Sequence, residues 1–85
     1  MKYQTIAEVK QDHPYILNAR AKRFLGFSGK AYLKGHCVII HNNPVEEEPH
    51  YAVYALTKNR TIFLDKTLTL QLARAVANAY NVINN

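Results

Sequence analysis

Hydrophobic positions recur with different periods along the chain, and each change of period marks an element. In the opening MKYQTIAEVKQDHP, Tyr3, Thr5, Ala7 and Val9 alternate as in a strand. Thr5-Ile-Ala-Glu8 is also a capping box, in which hydroxyl and carboxylate each satisfy an end-of-helix amide, so a short helix from Ile6 is favoured over a strand. Asp12 and Pro14 mark a break and a new start, because aspartate caps well and proline fits only the first turn of a helix. Over residues 14–25, Leu17, Ala21, Phe24 and Leu25 share one face and Arg20 and Arg23 another, which predicts a second, basic helix.

Gly26, Ser28 and Gly29 then turn the chain, and residues 30–33 and 36–41 read as strands of a hairpin closing at Lys34-Gly35. The run CVII at residues 37–40 is apolar on both faces. It belongs at the centre of a sheet, covered on both sides, or covered on one and paired with another chain on the other. Asparagines, prolines and three successive glutamates make residues 42–49 a loop, and HYAVYAL (50–56) and TIFL (61–64) form a second hairpin through residues 57–60. A helix over residues 67–83, capped by Asp65 or Thr67, completes the chain. Its stripe of Leu68, Leu72, Ala75, Val76, Ala79 and Ile83 is expected against the sheet. A weaker stripe of Leu70, Ala73, Ala77 and Tyr80 is left for the N-terminal helices or for a homodimer contact.

These elements predict one α+β domain over residues 1–85: an antiparallel three- to four-stranded sheet packed by helices on one face, in the order (α)-α-β-β-β-α. From residue 14 onwards, helix, three strands and helix, with Pro49-His-Tyr-Ala-Val-Tyr leading into a hairpin and an alanine-rich helix, resembles the layout of the double-stranded-RNA-binding domain. That family grips phosphates with a lysine pair at the start of its last helix. Here Lys66-Thr-Leu-Thr-Leu stands there, and the resemblance carries over Lys66 alone. Lys34-Gly35-His36 is similar to the glycine and strand histidine of HicA-type toxin ribonucleases, without the serine usually found between them. The implied role for His36 is general base towards a ribose 2′-hydroxyl.

Charge adds a partner class to this picture. The net charge of +5 is unevenly spread: residues 13–45 carry +5, 46–48 carry −3 and 49–85 carry +3. No acid occurs between Asp12 and Glu46, and within that span RAKRFLGFSGKAYLKGH threads five cations between Phe24, Phe27 and Tyr32. Lysine and arginine bind phosphates and flat rings stack on bases, which is the pattern of a nucleic-acid-binding surface. The second hairpin adds Lys58 and Arg60 at its tip.

Other chemistry finds little support. With 85 residues, the chain buries only about 60–65% of its unfolded surface, which leaves little room for a deep catalytic cleft. The lone Cys37 excludes an internal disulfide and fits a reducing compartment, while Glu8, Asp12 and Pro14 interrupt the apolar run a signal peptide needs, so a cytoplasmic protein without a membrane segment is expected. His36 and His41 point to opposite faces of a strand, and Cys37 and His41 lie roughly 13 Å apart in extended geometry, so no metal site is assigned. The only serine is Ser28, in a turn, and Asp12 and Asp65 serve as caps.

The expectation is therefore a non-enzymatic protein without cofactors. Arg20, Lys22, Arg23, Lys30, Tyr32, Lys34, Lys58 and Arg60 would engage nucleic acid, RNA in preference to DNA, by phosphate neutralisation and ring stacking, with Tyr51 and Tyr54 as further stacking candidates. The alternatives are a phage- or mobile-element-type inhibitor or antitoxin that blocks a nuclease or toxin, with or without its RNA, and a ribonuclease using His36.

Overall fold

The computed structural model describes residues 2–17 and 26–84, and the element order is α-β-β-β-β-α. Helix α1 (Ile6–Asp12) decides between the two readings of the N-terminus. Thr5 is extended, at φ −139°, and its hydroxyl oxygen accepts from the Glu8 amide at 3.2 Å. The glutamate departs from the capping box: its carboxylate takes the Thr5 hydroxyl proton at 3.3 Å and does not reach the Thr5 amide. Val9 is the residue α1 buries. Tyr3 ties the preceding segment to the end of α1, its hydroxyl donating to Asp12 Oδ2 at 2.8 Å and lying 3.1 Å from His13 Nε2. With the tyrosine proton directed to the carboxylate, the histidine nitrogen is the donor in the second contact.

The basic helix expected over residues 14–25 is not present at its start. Residues 14–17 form turns that put the adjacent Ile16 and Leu17 into the core together. The remainder, with Arg20, Lys22, Arg23 and Phe24, lies outside the described residues.

Strands β1 (Phe27–Lys34), β2 (Cys37–Asn42), β3 (His50–Leu56) and β4 (Thr61–Thr67) form one antiparallel sheet in sequential order. Strand β1 starts earlier than expected because a bulge between Phe27 and Ala31 absorbs the Ser28-Gly29 turn signal, Gly29 taking φ +93°. Ser28 pins that bulge by donating from Oγ to the His41 carbonyl at 3.0 Å. Strand β4 runs on to Thr67, with its own irregularity opposite Val53/Tyr54.

Because side chains alternate, the register fixes two faces. Phe27, Ala31, Leu33, Val38, Ile40, Tyr54 and Leu56 pack with Tyr3, Val9, Ile16 and Leu17 from the N-terminal segment. Cys37, Ile39, Val53 and Ala55 on the other face pack under helix α2 (Leu70–Ile83). The expectation of helices on one face is corrected accordingly: the sheet is the middle of three layers. The cause lies in β2 and β3, where Val38, Ile39, Ile40 and Val53 are all essentially inaccessible; burying each is worth about 1.5–3 kcal/mol, so neither face can be left to solvent.

Helix α2 brings a second correction. Its N-cap is Thr69, whose hydroxyl oxygen accepts from the Leu72 amide at 3.1 Å, and not Asp65 or Thr67, which β4 retains. The buried stripe is Leu70, Ala73, Val76, Ala77 and Tyr80. Small residues let the helix lie close to Ile39 and Val53, whereas Leu68 and Leu72, expected inside, point out. Among the described residues no helix is long and apolar enough to cross a membrane.

Candidate nucleic-acid interface

Two turns meet at one end of the sheet because β2 and β3 are neighbours. The Leu56 amide donates to the His36 carbonyl at 2.8 Å, which sets the Lys34-Gly35-His36 turn beside the turn of residues 57–60. Lys34, Lys58 and Arg60 are thereby gathered at that end, all exposed. Thr57 braces its turn from both sides: its hydroxyl donates to the Arg60 carbonyl at 2.9 Å and accepts from the Arg60 amide at 3.1 Å. Lys58 and Asn59 protrude from this frame.

The other turn is fastened to the last turns of α2. Asn81 Oδ1 accepts from the His36 amide and its Nδ2 donates to the Lys34 carbonyl, both at 2.8 Å. Gly35, at φ +61°, lies so close that a Cβ there would come within 2.6 Å of Asn81 Cγ. The amide of one side chain thus replaces the hydrogen bonds a free turn would give to water, and it fixes where Lys34 leaves the sheet.

Beside this turn, Tyr32, Leu33, Lys34, Ile39 and Arg74 line a groove of about 320 Å³ between β1 and α2. It brings together two of the expected residues, Tyr32 and Lys34, and adds Arg74 from the exposed side of α2. Tyr32 is half-buried in the cluster under α2, and Tyr51 belongs to the same cluster. Lys30 is exposed on β1, roughly 13 Å along the strand from Lys34. Arg20, Lys22 and Arg23 lie outside the described residues.

The three glutamates of residues 46–48 sit at the opposite end, about 20 Å away along β3. Glu47 there forms an exposed ion pair with Lys66 at 3.3 Å and lies 3.8 Å from His50. Such a pair contributes no more than about 1 kcal/mol and breaks readily in salt.

The aromatic feature that sequence reasoning missed is Phe63. In the β3–β4 register it stands opposite Tyr54, the ring centroids 5.6 Å apart and the planes at 65°. Tyr54 is half sunk in the core, and burial raises its pKa, so its hydroxyl stays protonated. Phe63 is 57% exposed, on the part of the α1-side face that lies along the β4 edge. Thr61 on the same strand face adjoins a cleft of about 270 Å³ shared with Arg60, Asn59, Tyr15 and Asp12. Tyr15 is a second exposed ring near Arg60; Asp12 is the one carboxylate there, and it already accepts the Tyr3 hydroxyl. A turn of residues 57–60 would have revealed the pairing of positions 54 and 63.

Reactive groups are few. His36 lines a shallow cleft of about 280 Å³ with Lys2, Asn78 and Asn81 and is joined there by no acid. Ser28 Oγ lies 2.8 Å from His41 Nδ1, but its proton is directed to the His41 carbonyl, which makes the ring nitrogen the donor and leaves the serine a structural pin. Among the described residues no group of three or more histidine, cysteine or acidic side chains could hold a metal. Cys37 is fully buried, and desolvation pushes its thiol up to about 11.

None of the protein-family models, curated proteins or solved structures compared with the chain matches it.

Proposed function

We propose that the protein binds single-stranded nucleic acid, RNA in preference to DNA, on the end of the sheet where Lys34, Lys58, Arg60 and Arg74 gather. The observation that carries this reading is Phe63: a flat ring held open to solvent on a sheet face, backed edge-on by Tyr54 and two positions along β4 from Thr61, which lines the cleft shared with Arg60. An exposed phenylalanine costs a monomer apolar hydration and is explained when a base stacks on it. Stacking on a sheet ring requires an unpaired base, which favours single strands and RNA loops over duplexes. From the β4 edge to the β1 edge the sheet spans about 14 Å, room for two or three nucleotides whose phosphates would pass the two turns. The carboxylates of residues 46–48 lie a strand length away and do not compete.

This interface departs from the double-stranded-RNA-binding domain. Lys66, the one position carried over from that family, is engaged with Glu47 at the acidic end.

Fluorescence anisotropy with labelled single-stranded RNA and DNA of equal sequence, over a salt series, tests the reading. Phe63→Ala is expected to weaken RNA binding roughly 5- to 150-fold, the effect of losing one stacked base. Lys58→Glu with Arg60→Glu should reduce the slope of log affinity against log salt by about 0.7 per lost contact. The RNA should be recovered at full length. Equal affinity of the parent and Phe63→Ala refutes the platform, and shortened RNA that stays intact with His36→Ala would replace binding by hydrolysis.

A further inference from the structure

The outward side of α2 carries an apolar stripe that no part of the described chain covers. Leu72 is 55% exposed, Val82 80% and Ile83 81%, with Ala75 and Ala79 exposed between them and Leu68, 65% exposed, just ahead of the helix. At about 100° per residue these positions fall within an arc of roughly 100°, centred some 130° away from the buried stripe. The helix therefore has two apolar faces and one polar arc of Gln71, Arg74, Asn78 and Asn81.

We propose that this stripe is the contact between two copies of the protein, packed through antiparallel α2 helices. Three observations select a second copy as the occupant. The stripe is self-complementary: an antiparallel crossing centred at position 77 sets Leu72 against Val82 of the second copy and Ala75 against Ala79, large facing large and small facing small. The alanines allow the close helix approach that such a crossing needs.

Charge agrees with the same direction. Arg74 is the only charged residue of α2, and no acid lies on the helix to pair with it. Arg74 lies on the polar arc beside Lys34, outside the stripe, so the stripe itself is uncharged, and an antiparallel crossing opposes the two helix dipoles favourably.

The area suffices as well. From the exposures above, the stripe offers roughly 500–600 Å² per copy, so a pair removes about 1,000–1,200 Å² from water, at the lower edge of specific interfaces. The dimer is accordingly a weak one, forming in the micromolar range. The contact lies behind α2, on the face of the sheet opposite Phe63, so each copy keeps its platform free. The inference stands without any nucleic acid and does not depend on the proposed binding.

Sedimentation velocity of the RNA-free protein between 1 and 200 µM tests it. The mass is expected to move from 9.7 kDa towards twice that value as concentration rises, and Leu72→Glu, an exposed change that leaves the core intact, should hold it at 9.7 kDa throughout. Cysteine pairs test the register: mixed Leu72→Cys and Val82→Cys proteins should cross-link to each other on mild oxidation, and Leu72→Cys alone should not. A parent that stays at 9.7 kDa at 200 µM overturns the proposal, as does a dimer that Leu72→Glu leaves unchanged. Self-cross-linking of Leu72→Cys overturns the antiparallel register.

Discussion

The fastening of the Lys34-Gly35-His36 turn to Asn81 predicts a coupling that a double-mutant cycle can measure. Gly35→Ala places a methyl in a backbone conformation of φ +61°, which costs an L-residue about 1–2 kcal/mol. The new Cβ would also meet the Asn81 side chain, 2.6 Å from Cγ, and that side chain can leave only by giving up its two hydrogen bonds of 2.8 Å. At about 0.5–1.5 kcal/mol each, these add about 1–3 kcal/mol, so Gly35→Ala should cost about 2–5 kcal/mol. Asn81→Ala alone loses the same two bonds and costs about 1–3 kcal/mol. In the double variant the bonds are lost once and the clash is gone, so adding Gly35→Ala to Asn81→Ala costs only the backbone strain. The two single effects should therefore exceed the double by about 1–3 kcal/mol, well outside the roughly 0.5 kcal/mol within which independent sites add. Urea unfolding followed by circular dichroism gives each value from the midpoint at constant m. Additive single effects would refute the reasoning, because they would mean that Asn81 does not hold the turn where Gly35 needs it held.

The inward and outward alanines of α2 give a second test. Ala77→Leu forces a larger side chain against the sheet and should cost about 1–3 kcal/mol, a fall in Tm of several degrees, whereas Ala79→Leu, measured where the protein is dilute, should change stability by less than about 0.5 kcal/mol. Alkaline pH should unfold the protein through two groups. Burial, seconded by the hydrogen bond to Asp12, raises the Tyr3 hydroxyl to about 12, and burial raises the Cys37 thiol to about 11. Both are raised above their unfolded values of 10.0 and 9.0, so their contribution is complete below about pH 9 and is lost as pH rises through 11 and 12; unfolding midpoints measured from pH 7 to 11.5 should be flat and then fall. A thiol reagent at pH 8 should label Cys37 only at the rate at which the protein opens, and labelling in step with a free thiol would show the site to be accessible.

Much of the sheet was legible because its signals are local. The apolar run at 37–40 fixes a central strand, and HYAVYAL followed by a polar four-residue turn fixes a hairpin, whatever the rest of the chain does. What the period could not supply was the choice between competing apolar faces. On α2, Leu68, Leu72 and Ile83 outrank Ala73 and Ala77 in hydrophobicity, so a transfer scale assigns them to the core; the sheet selects the alanines because Ile39 and Val53 already fill the space beneath the helix. Helices on one face follow from the element order, yet residues 37–40 are apolar on both sides; Tyr3, Val9, Ile16 and Leu17 cover the second face, and they do not form one periodic stripe.

The interface was half legible for the same reason. Lys34, Lys58 and Arg60 were recognised as basic turn residues, a local property, but that they meet depends on the His36 carbonyl accepting from Leu56, a contact between two hairpins. Phe63 was passed over because TIFL reads as core, and hydrophobic residues in strands are core by default. Its exposure follows from strand order: β4 is an edge, and the N-terminal layer packs over the face of β1, β2 and β3. An edge strand with an uncovered face turns an ordinary core phenylalanine into a surface ring. The same logic separates Phe63 from the α2 stripe. Phe63 is an exposed ring on the β4 edge, near the cleft that Thr61, Arg60 and Tyr15 line, an arrangement that suits a charged partner with a flat face. The α2 stripe is broad, uncharged at its centre and matched to its own reverse, an arrangement that suits another copy of itself. The two surfaces lie on opposite faces of the sheet, so the two proposed contacts would not compete.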